Sequence, residues 1–351
     1  MQLIRTSAIA LLCLTSISAA QTLVTLPALK DNSMYAESGL LSNGAGTRCF
    51  AGTNFTGSIR RGLIAFDMSQ IPAGSTITKV DLVLTVVMSA TLNSTTVTLQ
   101  AVQADWGEAA SVGASGEGGG GTALTGDATW THRLFNTSAW TTPGGDFSAT
   151  VSGSTSVGTS GAHTWSSTAQ MVADVQGWLD KPATNFGWVL LGDEVNSQTA
   201  KAFATHDDLT TTNHPQLLVT YTPPKASVTS VGTGCTGSGT TPLSLIASGP
   251  PVVPSATYSL TMSGGPTGQG LFALSVVLLP SPVPLGGGCN LYVNPTPLLV
   301  VFSTGALRTL PFLIPNQPSL IGETVFWQGA VGDSVTNQLV TSNALILKLG
   351  V

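Results

Sequence analysis

Histidine and carboxylate side chains are the first candidates for chemistry in this chain, because they exchange protons near neutral pH. Such residues are adjacent at His206-Asp207-Asp208, and another histidine lies next to an arginine at His132-Arg133. The chain has no G-x-S-x-G elbow, no H-E-x-x-H motif and no Walker loop. His206 precedes the last predicted strand of its domain, where we expect a solvated turn. The sequence therefore predicts no catalytic residue and a protein that is not an enzyme.

The low charge of the chain points to the same conclusion. Charged residues make up 8% of the sequence, whereas roughly a quarter is usual in soluble domains. Residues 224–351 contain no histidine and only five charged residues: Lys225, Arg308, Glu323, Asp333 and Lys348. Basic residues are scattered apart from Arg60-Arg61, which argues against nucleic-acid binding. This composition favours display, scaffolding or binding.

Acidic residues at predicted strand ends and in glycine-rich turns suggest a cation site. Calcium takes several oxygen ligands from carboxylates and backbone carbonyls, which loops of this kind supply. We expect a structural calcium ion, with Asp31 and Asp146 as the first ligands, although no EF-hand motif is present. The full set of candidate carboxylates is Asp31, Asp105, Glu108, Asp127 and Asp146.

Aromatic residues are the expected signature of a sugar-binding surface, because the apolar face of a sugar ring stacks on a flat aromatic ring. Trp178 and Trp188 fall in regular helix or strand patterns, which predicts core positions. The residues near predicted loops or strand edges are the candidates for ligand contact: Trp106, Trp130, Trp140 and Tyr35. Among these we favour Trp130 and Trp140.

The four cysteines fit an oxidising compartment. Cys235 and Cys289 both lie in glycine-rich turns, and we expect a disulfide between them. Cys49 has no partner in its own domain, so it is either a small buried apolar residue or an intermolecular or reactive thiol. The cysteine and histidine spacing does not resemble a zinc site.

The first twenty residues are typical of a secretory signal peptide. Arg5 precedes an apolar run at residues 8–14, and the small residues Ser18-Ala19-Ala20 predict cleavage before Gln21. Cys13 raises the alternative of a lipoprotein anchor, which the large Leu12 before it disfavours. No later segment reaches the ~20 continuous apolar residues of a membrane span. We expect a secreted protein, with attachment to a cell surface as an alternative.

The remaining pattern is that of an all-β protein. Residues 78–86 and 95–102 alternate at period two, and frequent turn residues separate many short strands. Residues 167–180 are the exception, because Met171, Val175 and Trp178 recur at the spacing of an amphipathic helix. We predict an N-terminal jelly-roll β-sandwich with one short helix and a smaller C-terminal antiparallel β-sandwich, whose strands include one at 271–279.

A composition change after Tyr221 marks the domain boundary. The strand pattern ends there, Pro223-Pro224 interrupts it, and the sequence then turns to nearly uncharged Gly, Ser, Thr, Pro and Val. We assign residues 1–20 to the signal peptide, 21–223 to the first domain, 224–228 to a linker and 229–351 to the second domain.

Short phrases in the first domain occur in a recognisable order. They are Asp31-Asn32, Arg61-Gly62-Leu63-Ile64-Ala65-Phe66-Asp67, Ile71-Pro72-Ala73-Gly74-Ser75, Asp105-Trp106-Gly107-Glu108, Asn185-Phe186-Gly187-Trp188 and His214-Pro215-Gln216-Leu217. In this order they resemble the DNRLRE-type module, a secreted jelly roll described as a carbohydrate-binding family. The resemblance covers about residues 22–222 and implies an accessory role beside polysaccharide-degrading enzymes. Only fragments of the motif that gives the family its name, such as Asp31-Asn32, are present in this chain.

The second domain is similar to C-terminal modules of secreted proteins from planctomycete-like bacteria. The similarity rests on two glycine-cysteine phrases and on Leu310-Pro311-Phe312-Leu313, Val325-Phe326-Trp327-Gln328 and Ser342-Asn343-Ala344-Leu345. It covers about residues 229–351 and implies an extracellular accessory role without a known activity.

Two functional hypotheses follow. The first is a secreted, non-catalytic protein that binds extracellular polysaccharide, which predicts solvent-facing aromatic rings in the first domain. The second is a structural or adhesive protein of the cell surface or matrix, which predicts the same rings buried and protein partners. A polysaccharide lyase or hydrolase is a third possibility, supported by the module's relatives and by no residue here.

Overall fold

The computed structural model describes residues 20–294, 296–303 and 308–351. Cys13 and the predicted signal peptide, apart from Ala20, lie outside the described residues. The described chain is all-β and sandwich-like, with antiparallel strands and one α-helix, which confirms the predicted fold class. In the part of the chain that the structure describes, no helix is both long enough and apolar enough to cross a membrane.

The described residues 20–222 contain fourteen strands. They are β1 Thr22–Tyr35, β2 Leu41–Ser42, β3 Arg48–Thr53, β4 Ile59–Phe66, β5 Thr76–Ser89, β6 Thr95–Val102, β7 Gly121–Thr122, β8 His132–Leu134, β9 Ser138–Ala139, β10 Phe147–Val157, β11 Gly161–Trp165, β12 Trp188–Leu191, β13 Lys201–Ala204 and β14 Gln216–Thr222.

The longer strands follow the order β1-β14-β5-β13-β3-β4-β12-β6-β10. Strand β1 joins both layers of this sandwich. Its first half pairs with β14, and after an irregularity between Ala28 and Lys30 its second half pairs with β4. Such irregularities bend a strand and redirect its side chains. Residues 31–35 are consequently all buried at the junction of the two layers.

The core of this domain comes from side chains that alternate along the strands. In β5, Val80, Leu82, Leu84 and Val86 are buried at period two. Helix α1, Ala169–Asp180, packs on β5 and β10 and buries Met171, Val175, Trp178 and Leu179. Thr168 caps the helix, because its hydroxyl accepts a hydrogen bond from the amide of Met171. The helix predicted at 167–180 is confirmed.

Ten strands lie in the described residues of the C-terminal part. They are β15 Ser227–Val231, β16 Ser244–Ala247, β17 Ser255–Ser263, β18 Gly270–Ser275, β19 Leu278–Gly286, β20 Cys289–Val293, β21 Leu299–Ser303, β22 Arg308–Ile314, β23 Thr324–Asp333 and β24 Gln338–Lys348.

Two sheets face each other in this part, with the orders β15-β24-β23-β18-β21 and β16-β17-β22, and β19 pairs with β20. The single strand predicted at 271–279 is wrong. The hydroxyl of Ser275 bonds both the amide and the carbonyl of Val277, which turns the chain between β18 and β19. The predicted Cys235–Cys289 disulfide is confirmed, and Cys49 is a free, buried cysteine.

Candidate functional site

Three side chains that are distant in sequence meet in the first domain. Asp31 comes from the second half of β1, Glu108 from the loop after β6, and His206 from the turn after β13. One potential ligand atom from each residue lies within 4.8 Å of those from the other two. We call Asp31, Glu108 and His206 the acidic-histidine cluster.

Asp31 holds His206 through two hydrogen bonds to one oxygen. The backbone amide of His206 donates to Asp31 Oδ2 at 2.9 Å, and the ring Nδ1 lies 3.1 Å from the same atom. The other ring nitrogen, Nε2, lies 3.7 Å from Glu108 Oε1 and 3.8 Å from Asp207 Oδ1. The imidazole is therefore fixed at one nitrogen and faces carboxylates at the other.

Backbone contacts on both sides fix the position of Glu108. The carbonyl of Gly107 accepts hydrogen bonds from the buried Asn32 side chain at 3.1 Å and from the amide of Ala128 at 2.8 Å. The amide of Ala109 donates to Asp127 Oδ1 at 2.8 Å. The loop is thus tied to β1 on one side and to the 124–129 turn on the other.

The surroundings of the cluster shift the pKa of all three groups. Hydrogen bonding to Asp31 raises the pKa of His206 to about 9. Burial, together with the nearby charge of Asp31, raises the pKa of Glu108 to about 8. Burial also raises the pKa of Asp31, although its hydrogen bonds with His206 act in the opposite direction. The two carboxylates lie close together in a site that little water reaches. They therefore stabilise a positive charge between them.

One oxygen of the cluster has unused bonding capacity. Asp31 is 1% exposed, and its Oδ1 atom has no hydrogen-bond partner among the described residues. A buried carboxylate oxygen without a partner loses its hydration without compensation. Chemically, the cluster could serve as an acid–base group or hold a cation.

The other predicted carboxylate ligands are occupied elsewhere. Asp146 accepts hydrogen bonds from the amides of Thr141 and Thr142, so it closes its own turn and does not belong to the cluster. Asp127 accepts from two backbone amides, and Asp105 forms an ion pair with Lys30. Of the two calcium ligands that the sequence favours, the cluster contains Asp31 alone.

Three of the four aromatic candidates lie in the core. The indole of Trp106 is 1% exposed and donates to the carbonyl of Phe186, while Trp140 donates to the carbonyl of Thr129. Tyr35 is fully buried and donates to the carbonyl of Glu117. Their loop positions suggested ligand contact, but the loops fold back over them. These rings present no open face on which a sugar could stack.

Trp130 is the exception, because it is half-buried. The guanidinium of Arg61 lies 4.8 Å from the centre of its ring, and Arg61 forms two hydrogen bonds with Glu194 at 2.8 and 2.9 Å. Gly144 lies at the edge of the indole. Trp130 is thus a partly open ring beside polar groups.

The surface clefts lie away from the acidic-histidine cluster. A cleft of 740 Å³ opens between the two domains, with Met68, Ile71 and Trp178 on one side and Pro318 and Ile321 on the other. An apolar cleft of 370 Å³ opens between the two C-terminal sheets. The cluster lines neither of these clefts, nor the three other leading clefts in the described part of the chain.

His206 is the residue whose environment the sequence analysis missed. It does lie in a turn, but its ring is bonded to the buried Asp31 instead of being merely solvated. Asp31 and Glu108 were both among the predicted carboxylates. The available signal was His206-Asp207 itself, the one place where histidine directly precedes two carboxylates.

Comparisons with known proteins supply no family for this chain. No protein-family model matches it, and no curated protein matches it. Among solved structures, the Macrobrachium rosenbergii nodavirus aligns over 99% of this chain and 96% of the viral chain, with 8% identity and a TM-score of 0.21. At so low a TM-score, the similarity supports no conclusion on fold or function.

Proposed function

We propose that this chain is a secreted, non-catalytic protein with a structural or adhesive role at a cell surface or in a matrix. The burial of Trp106, Trp140 and Tyr35 carries the proposal, because sugar binding through stacking needs aromatic rings that are open to solvent. The Cys235–Cys289 disulfide supports an extracellular location, since disulfides persist in oxidising compartments.

The surface of the C-terminal domain supports a role in protein contacts. Of its four charged residues, Arg308 and Asp333 are buried. Strand β21 is the last strand of its sheet, and the apolar side chains of Leu299, Val300 and Phe302 are exposed on it. An apolar edge strand without charges favours pairing with another chain. Copies of this protein, or neighbouring surface proteins, could associate along this edge.

Sedimentation velocity of the purified mature protein over a range of concentrations tests this role. We expect concentration-dependent association that Phe302→Lys weakens, because the substitution places a charge on a side chain that is 70% exposed at the edge. Val195→Lys is the matched control, since Val195 is 92% exposed in the other domain. A protein that stays monomeric at every concentration, together with saturable glycan binding, would overturn the proposal.

Carbohydrate binding is the second candidate, and Trp130 is the observation that favours it. Its half-buried ring stands beside the Arg61–Glu194 ion pair, whose polar atoms could bond sugar hydroxyls. Binding to a panel of soluble and insoluble polysaccharides tests this function, with an assay for released reducing sugar. Saturable binding that Trp130→Ala removes, without sugar release, would support a non-catalytic glycan-binding protein.

A further inference from the structure

The buried, unpartnered oxygen of Asp31 points to a bound partner besides His206. The cluster brings two carboxylates and an imidazole together, and Asp31 Oδ1 is buried without a hydrogen bond in the described structure. A protein oxygen buried in this way is satisfied by water, by a proton donor or by a cation. A cation is the partner for which two carboxylates and an imidazole together form a typical ligand set.

We propose that Asp31, Glu108 and His206 bind a divalent transition-metal ion, with zinc as the reference ion. Calcium prefers six to eight oxygen ligands, whereas an imidazole nitrogen with carboxylate oxygens suits zinc and its neighbours. Three protein ligands leave the fourth position of a tetrahedral ion to water. The site is independent of the adhesive role proposed above.

The distances are compatible with one ion. Two ligands of the same ion are separated by at most twice the bond length, which is about 4.2 Å for zinc with nitrogen or oxygen ligands. His206 Nε2, the ring nitrogen that is not bonded to Asp31, lies 3.7 Å from Glu108 Oε1, which is within this limit. One ligand atom of each residue lies within 4.8 Å of those of the other two, so no pair has to close by more than about 0.6 Å to reach that limit.

The fold positions the ligands before an ion arrives. Asp31 lies in a buried strand, the loop of Glu108 is bonded through Gly107 to Asn32, and His206 is bonded to Asp31. A bound ion would fasten β1, the loop after β6 and the turn after β13 to one another. We therefore expect the ion to stabilise the first domain.

Metal titration of tag-free, chelator-treated full-length mature protein tests the site. Isothermal titration calorimetry with Zn²⁺, Mn²⁺ and Ca²⁺ gives affinity, and elemental analysis after dialysis gives stoichiometry. We expect one Zn²⁺ per chain, weaker Ca²⁺ binding and a higher Tm with zinc. Glu108→Gln and His206→Gln should each weaken zinc binding at least about 100-fold, because even outer-shell changes commonly cost 10–100-fold.

Asp105→Asn is the matched control, because Asp105 is an exposed carboxylate three residues before Glu108. Its zinc affinity should equal that of the parent protein. Circular dichroism and Tm in chelator establish that each variant is folded, and the visible spectrum of the Co²⁺ form, which reports nitrogen coordination, should change in His206→Gln. The proposal is overturned if the folded parent binds no zinc, if it prefers calcium, or if Glu108→Gln and His206→Gln bind zinc like the parent.

Discussion

The ring Nδ1 of His206 lies 3.1 Å from Oδ2 of Asp31, a residue 175 positions earlier in the chain. The backbone amide of His206 donates to the same oxygen. Asp31 is almost fully buried, whereas the side chain of His206 is 30% exposed. This pair therefore joins a core strand to a surface turn, and the strand's stability depends on how well the carboxylate is satisfied.

Replacing Asp31 tests that dependence. In chelator at pH 7, we expect Asp31→Asn to lower the free energy of unfolding by about 1.5–3 kcal/mol, the range for hydrogen bonds to a charged group. Urea denaturation measures the change. The control is Asp207→Asn, which removes a more exposed carboxylate 3.8 Å from the same ring and should change stability by less than about 0.5 kcal/mol. Equal losses in the two variants would contradict a special role for Asp31.

Gly107 should be essential to the loop that carries Glu108. A Cβ atom at this position would lie 1.7 Å from the carbonyl oxygen of Gly126, which is far inside van der Waals contact. We expect Gly107→Ala to cost at least about 1–3 kcal/mol of stability. Gly177→Ala is the contrasting variant, because a Cβ there meets nothing within 4 Å and the residue is exposed in α1. It should stabilise the protein by about 0.5–1 kcal/mol, as judged by Tm.

Trp106 and Trp130 should respond differently to truncation. Trp106→Ala removes a fully buried indole and its bond to Phe186, so we expect a loss of about 3–5 kcal/mol. Trp130→Ala removes a half-buried ring and should cost about 1 kcal/mol. Guanidinium denaturation gives both values. A larger loss for Trp130 than for Trp106 would show that their burial is assigned the wrong way round.

Local patterns in the sequence were sufficient for most of the fold. Strand β6 was predicted with its observed bounds, Thr95–Val102. Apolar and polar residues alternate along it, and such alternation indicates which side chains of a strand are buried. Strand β5 is longer than predicted at both ends, since burial at its ends is set by neighbouring strands. The disulfide followed from cysteine count and glycine-rich turns. The turn at Ser275 was missed because it depends on two hydrogen bonds of one serine side chain within an apolar run.

The site could be predicted only in part, because its residues meet through the topology. Asp31 and Glu108 were candidates as carboxylates, but nothing local indicates that their loops converge on the turn of His206. The aromatic candidates show the same limit. Loop position suggested exposure for Trp106, yet the indole is covered by contacts with Lys30 and Phe186 from distant segments. Which loops lie next to one another depends on the order of the strands in the sheets. The hydrophobic periodicity of single segments does not reveal that order.

The stability of the C-terminal domain should fall in acid because of Asp333. Its carboxylate accepts hydrogen bonds from the Thr336 hydroxyl, from the amide and hydroxyl of Ser238 and from the amide of Val335. These bonds, that from Thr336 foremost, hold the pKa of Asp333 well below its usual 3.8. A lowered native pKa gives stability that is present above the unfolded value, about 3.9, and lost as pH falls through the native pKa.

Amide hydrogen exchange in β23 and β24 at several pH values measures this effect, after correction for the intrinsic exchange rate. We expect protection to decrease below about pH 4 in the parent protein. In Asp333→Asn, the amides of β23 and β24 should be less protected at pH 7 than in the parent. They should also lose less protection on acidification. Glu323→Gln, which changes an exposed carboxylate in the same domain, serves as the control and should follow the parent. Identical acid profiles for the parent and Asp333→Asn would contradict the prediction.

The Cys235–Cys289 disulfide should stabilise the C-terminal domain alone. The two residues are 54 positions apart, and closing a loop of this length restricts the unfolded chain enough to contribute about 2–4 kcal/mol. Cys49 is already a free thiol, so a reductant breaks this one bond in the described structure. We expect reduction, or the double variant Cys235→Ala/Cys289→Ala, to reduce hydrogen-exchange protection in β23 and β24 while β5 and β6 keep theirs. Loss of protection in both domains together would instead show that the two sandwiches unfold as one cooperative unit.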